Sequence, residues 1–213
     1  MSRRALILVD LQNDFVKGGA LAIADGSAVV GIANRLMPYF DLVIATQDWH
    51  PADHQSFASQ HQGLSVGQQF VLNGLPQTAW PDHCIQQTLG AELVERLNFD
   101  GIDHVVRKGM DRSVDSYSGF FDNGHLRSTG LSEVLREEQI DSIAVMGLAT
   151  DYCVRFTALD AAKQGFKTAL ILDGCRGVEL QSGDIAKAVA ELVRTGIEIT
   201  DSGSVVRLFG KSK

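Results

Sequence analysis

Five apolar residues in a row, closed by an acid, form the segment Ala5-Leu-Ile-Leu-Val-Asp10, and comparable runs recur along the 213 residues. Runs without polar alternation are the pattern of strands buried on both faces. They predict strands at Ala5–Asp10, Asp41–Thr46, His104–Arg107, Ser142–Met146 and Thr168–Leu172, with a short last one at Ile197–Thr200. Between them apolar residues recur at helical spacing. Ala28–Phe40 carries Val29, Val30, Ile32, Ala33, Leu36 and Met37 at helical spacing, and Leu131–Gln139 reads as a helix with Ser132 as a candidate cap near its start. Tyr152–Gln164 is stopped by Gly165 and Ile185–Arg194 by Gly196. Strands alternating with helices predict an α/β fold: a mostly parallel sheet of about six strands with helices on both faces, a three-layer Rossmann-like arrangement. No composition shift or repeat divides the chain, so residues 1–213 read as one domain. The alternation fails only over residues 47–90, which are polar and rich in Gln, His, Gly and Pro. An excursion that long in a compact domain usually serves function.

Composition changes the picture mainly by exclusion. The formal net charge is −7, and no Lys/Arg-rich stripe or tail is present, which argues against nucleic acid as a partner. No apolar run reaches the 18 residues of a membrane span. The stretch after Met-Ser-Arg-Arg is too short for a signal peptide. Three widely spaced cysteines do not make a disulfide framework. The expected setting is the cytoplasm, as a monomer or a homo-oligomer.

Open parallel sheets bind ligands beyond the carboxyl ends of their strands. Asp10 closes the first predicted strand, Asp48 and His50 follow the second, Lys108 follows the third and Cys153 follows the fourth. Cys153 lies where an apolar run passes through small residues into a helix. The helix dipole and unpaired N–H groups there favour a thiolate and could hold an oxyanion. A buried packing thiol fits this placement equally well. Alone, Asp10 reads as a cap and Lys108 as a solvated charge. Together on one rim they read differently, because an ammonium favours a thiolate and a carboxylate can take the thiol proton.

A second group lies in the excursion: Asp48-Trp49-His50, His54, and His83 within Trp80-Pro-Asp-His-Cys84. An Asp-x-His pair on an extended segment points both side chains to one side. With a distant third imidazole it makes an N/N/O set for a divalent metal with open positions. Spacing alone supports this and solvated loop histidines equally. Cys84 reads as a buried thiol adjacent to that set.

Six blocks, taken in order, resemble one family: ALILVDLQNDFVKGGAL, ATQDWHPADHQSFAS, GLPQTAWPDHC, RKGMDRSVDSYSGFFDN, VMGLATDYCVRFTALDA and ILDGCRGV. The chain resembles the nicotinamidases (pyrazinamidases) of the isochorismatase-like cysteine hydrolase superfamily over nearly its whole length. The resemblance implies an Asp10, Lys108 and Cys153 triad and a metal site of Asp48, His50 and His83, holding one divalent ion, zinc first, with iron or manganese as alternatives. It implies an oxyanion hole from the N–H groups of Ala149 and Cys153 beside a cis Leu148–Ala149 peptide. Phe15 and Trp80 match positions that pack on the substrate, and Tyr152 one that shapes the pocket. Tyr117 and Ser118 fall on the supporting wall, and Asp14 and Asp151 in structural hydrogen bonding. His54 matches a ligand in some relatives, and residues 60–78 fall in a loop of variable length. The implied reaction is hydrolysis of nicotinamide, and of pyrazinamide, to the acid and ammonia in NAD salvage. The competing readings are a cysteine amidohydrolase for another small amide and a non-catalytic thiol sensor.

Overall fold

The computed structural model describes residues 3–209. Six parallel strands form its central sheet: β1 (Arg3–Val9), β2 (Leu42–Asp48), β5 (His104–Lys108), β6 (Ile140–Leu148), β7 (Lys167–Arg176) and β8 (Glu198–Thr200), in the order β5-β2-β1-β6-β7-β8. The helices are α1 (Ala28–Leu36), α2 (Leu131–Glu137), α3 (Arg155–Lys163), α4 (Asp184–Arg194) and α5 (Ser202–Phe209). They cover both faces, with α1 packing on α5 and α3 on α4. That cover explains the unbroken apolar runs, since every residue of β2 and the last five of β1 are buried. All six strands foreseen from the apolar runs are present, and the fold is the α/β sandwich that the pattern predicts.

The strand order reverses at β1. The chain first builds outward through β2 to β5, then returns to lay β6 on the other side of β1. The carboxyl ends of β1 and β6 therefore flank the switch point where such sheets bind ligands. Gly147 lets them approach: at φ +128° it lies against Val9, and a Cβ would collide with the Val9 carbonyl oxygen.

Several boundaries differ from expectation. Asp48 and Lys108 are the last residues of β2 and β5, inside the sheet rather than after it. The helix expected over Ala28–Phe40 stops at Leu36, and Met37–Tyr39 form a 3-10 turn around Pro38, whose ring cannot continue an α-helix. Before α3, Thr150–Val154 form a π-helical turn, so Tyr152 and Cys153 sit on a widened turn instead of a regular first turn. Within 47–90 the chain makes a hairpin, β3 (Gln69–Leu72) and β4 (Leu75–Thr78), closed by Asn73-Gly74 with both residues at positive φ. An Asn-Gly pair between two strand-like runs is the type I′ signal, legible in the sequence but read there as loop. α5 was also unforeseen. Among the described residues no helix is long and apolar enough to cross a membrane.

Candidate active site

The carboxyl ends of four strands converge on Lys108. Its side chain is fully buried, and its Nζ lies 2.9 Å from Asp10 Oδ2, 2.6 Å from Asp48 Oδ1, 3.0 Å from the Ser116 carbonyl oxygen and 3.4 Å from Cys153 Sγ. Burial disfavours the ammonium, but Asp10 and Asp48 overcome that and hold its pKa well above the usual lysine range. Lys108 is thus a fixed cation. Asp48 answers in the opposite direction: burial would raise its pKa, yet Lys108 and His50 hold it well below the carboxylate range.

Asp10 stands differently. It follows β1 in the left-handed region, at φ 50°, which aspartate tolerates better than most residues. The Thr46 hydroxyl donates to its Oδ1 at 2.5 Å, and its own N–H donates back to Thr46 Oγ1. Oδ2 pairs with Lys108, and the carboxyl faces the Cys153 thiol. Donor atoms of Asp10, Asp48 and Cys153 lie within 4.8 Å of one another. Burial raises the Asp10 pKa despite Lys108. Burial also pushes the Cys153 thiol well up, with Lys108 pulling the other way. The arrangement holds a neutral thiol between a fixed cation and a carboxylate that can accept its proton.

Cys153 opens into a small cavity lined by Phe15, Trp80, Ala149 and Tyr152, by Asp48, His50 and His83, and by Leu21, Asp115, Tyr117 and Val178. Every residue expected at the site therefore borders it or meets at Lys108. Phe15 lies edge-on to His83, with ring centroids 5.5 Å apart, and Trp80 edge-on to Tyr152 at 4.8 Å. The Leu148–Ala149 peptide is cis, as the resemblance implied.

At the far side of the cavity, Asp48, His50 and His83 bring one donor atom each within 4.8 Å of one another, all buried. His50 Nδ1 lies 2.8 Å from the Gly109 carbonyl oxygen, and His83 Nδ1 lies 2.7 Å from that of Pro81. A carbonyl only accepts, so each Nδ1 carries the hydrogen and Nε2 is the ring atom left for a ligand. Burial alone would lower the His50 pKa, but Asp48 raises it, so a cation there displaces a proton. Gly109 comes close enough for this because it has no side chain; a Cβ there would strike the His50 ring. Burial and the neighbouring His50 lower the His83 pKa to about 4, so its ring is neutral near pH 7. The donor set fits a divalent cation. His54 lies behind it, its ring 4.3 Å from that of His50, with Nε2 buried and without a partner and its donor grouped with His50 and Asp115. Cys84 is buried outside these clusters, as expected.

The isochorismatase domain matches residues 4–203. The chain belongs to the isochorismatase family. Within it, a nicotinamidase from Escherichia coli is 53% identical over 200 residues, covering 92% of this chain and 93% of the relative. The solved nicotinamidase/pyrazinamidase of Acinetobacter baumanii superposes on this isochorismatase-family chain with a TM-score of 0.93 at 41% identity, covering 96% of this chain and 99% of that one. A Pyrococcus horikoshii pyrazinamidase solved in complex with zinc gives 0.76 at 34%, covering 93% and 99%.

Supporting residues of this isochorismatase-family site were harder to see in the sequence. Gln12 accepts from the Asp48 N–H and donates to the carbonyl oxygens of Asp48 and Ala91, fixing the end of β2. Asp115 takes hydrogen bonds from Gln77 and the Ser116 N–H. Nothing in SVDSYS marks it beyond its charge. Asp14 and Asp151 are structural, as expected: Asp14 holds the Cys84 and Ala20 N–H groups, and Asp151 those of Val178 and Glu179. Tyr117 stands in the cavity wall, whereas Ser118 lies behind it and accepts from the Phe120 N–H.

Proposed function

We propose that this hydrolase converts nicotinamide to nicotinate and ammonia, and pyrazinamide likewise, through a Cys153 thioester, as a metal-dependent amidase of cytoplasmic NAD salvage. The observation that carries the reading is the meeting of Asp10, Asp48 and Cys153 at one buried ammonium, beside a cavity that ends in two imidazoles. The names of its relatives support the same substrate class.

In this reading Asp10 Oδ2 takes the proton as Cys153 Sγ attacks the carboxamide carbon. Lys108 stabilises both charged partners. The N–H groups of Ala149 and Cys153 receive the developing oxyanion. Asp10 returns the proton to the amine nitrogen, the C–N bond breaks and ammonia leaves. A water then gives a proton to Asp10 and its oxygen to the thioester carbon, and nicotinate departs as the thiol re-forms. Asp48, His50 and His83 would hold the cation within the 47–90 insertion. The bound cation supplies a Lewis acid for the pyridine nitrogen, a positioning role. Phe15 and Trp80 confine the ring, which sets the carboxamide against Sγ, and Tyr152 shapes the wall of the pocket.

Two outcomes test this. Stripping divalent ions with a chelator should lower kcat/KM for nicotinamide on the order of a hundredfold, the scale of a misplaced substrate, with zinc, iron or manganese restoring it. A stripped protein that keeps its kcat/KM would remove the metal from the proposal. The second outcome concerns pH. Asp10 must be ionised to accept the proton, and burial raises its pKa despite Lys108. The acid limb of kcat/KM should therefore lie above the ordinary aspartate value of about 3.9. Rates that stay flat from about pH 8 down to about pH 4 would exclude Asp10 as the base.

A further inference from the structure

Behind the substrate cavity lies a second, larger hollow, an open groove of about 660 Å³ between the hairpin, α3 and α4. Gln69, Pro76 and Thr78 form one side, and Arg155, Lys187 and Glu191 lie on the other. Two residues line both the groove and the cavity, Tyr117 and Tyr152, so the wall between them is aromatic. Their rings meet edge-on with centroids 5.4 Å apart.

The two rings are held very differently. Tyr117 is clamped. Its hydroxyl oxygen takes hydrogen bonds from Trp80 Nε1 at 3.2 Å and Gln77 Nε2 at 2.9 Å, its N–H donates to Asn123, and its ring stacks on Phe156. Tyr152 sits on the π-helical turn, half-buried, and its hydroxyl meets only Thr78 Oγ1, at 3.4 Å, the long limit of a hydrogen bond. Otherwise it is retained by edge contacts with Trp80 and Tyr117, worth about 1 kcal/mol each. Tyr152 is the part of the wall that can be removed without dismantling the rest.

We propose that the Tyr152 ring is the partition that sets the upper size limit of the substrate. With the ring in place the cavity is closed around a single unsubstituted heteroaromatic carboxamide. Without it the cavity joins the groove, and carboxamides carrying a second ring become substrates. The inference rests on the reading of the cavity as the amide site, and nicotinamide turnover by the unaltered enzyme tests that reading separately.

The experiment compares Tyr152→Ala, Tyr152→Leu and Tyr152→Phe with the unaltered chain, each loaded with zinc, on nicotinamide and on its 4-, 5- and 6-phenyl derivatives. The readout is kcat/KM for each phenyl compound relative to nicotinamide. That ratio should rise at least tenfold for one or more isomers in the Ala and Leu variants and stay at the unaltered value in Tyr152→Phe, which keeps the ring. An unchanged ratio in whichever of the two small variants hydrolyses nicotinamide overturns the proposal. So does loss of nicotinamide turnover in both, through misfolding or lost chemistry, because the ring would then be needed for more than partition. A rise in Tyr152→Phe equal to that in Tyr152→Ala overturns it too, since the hydroxyl and not the ring would set the limit.

Discussion

Replacing Cys153 with Ala should bring ammonia release from nicotinamide down to background, a loss of about four to six orders of magnitude, the scale seen when a covalent nucleophile is removed. The size follows from the route. Lys108 and Asp10 have no other group to activate, and a water in the place of Sγ would need the same proton transfer without the thiol's intrinsic nucleophilicity. Burial pushes the thiol pKa well up, so in the proposed route its ionisation is driven by Asp10 at the moment of attack. Cys153→Ser keeps the volume and the proton but has a poorer nucleophile, and it should be nearly as inactive. Both variants should fold, since the sulfur meets Lys108 and the Asp10 carboxyl as its polar neighbours and the replacements add no bulk. Acid-quenched peptide mass spectrometry should find a nicotinoyl group on Cys153 of the unaltered enzyme during turnover. Turnover of Cys153→Ala within tenfold of the unaltered rate would leave the thioester route without support.

The sheet was legible because its strands are apolar on both faces, a pattern that little besides a covered parallel sheet produces in a chain of this composition. The site was legible for a related reason: a parallel sheet delivers the residues at its carboxyl ends to one rim, so Asp10, Asp48, Lys108 and Cys153 could be grouped from strand positions alone. Spacing could not decide whether they touch. A buried packing thiol and a nucleophile look the same in Ala-Thr-Asp-Tyr-Cys, and the 3.4 Å approach of Lys108 is what supports the second reading. Nor could spacing bring His83 to Asp48 and His50, since the loops between are long and irregular; there the resemblance to a family carried the assignment. Gln12, Thr46 and Gln77 were missed because an amide or hydroxyl that braces a carboxylate leaves no pattern in the chain. The hairpin was missed for a lesser reason. Pro76 and the Gln-rich flanks hid an Asn-Gly turn whose signal was present.

Lys108→Met should do the greatest damage to stability, about 3–5 kcal/mol, the usual cost of leaving buried charges uncompensated. Methionine matches the length of the lysine stem, so packing survives while the charge is lost. Two carboxylates, one fully buried and one nearly so, then face each other without a cation between them. The pH dependence of the loss identifies its cause. In the unaltered protein Lys108 opposes the rise that burial imposes on Asp10. Without it Asp10 must rise further. A carboxyl whose folded pKa lies above its unfolded value contributes stability that is fully present below the unfolded pKa and is lost as pH rises through the folded one. The variant should therefore be closest to the unaltered protein in acid and fall away from it toward neutral pH. Urea unfolding of both proteins at several values between about pH 5 and 8 reads this directly. A deficit independent of pH would mean that the introduced thioether disturbs packing, and the charge cluster would no longer account for the lysine. Activity should vanish along with stability, but Lys108→Arg separates the two. The guanidinium keeps the charge and much of the stability, yet its rigid fork cannot meet Asp10, Asp48 and Sγ from one point as an ammonium does, so turnover stays low.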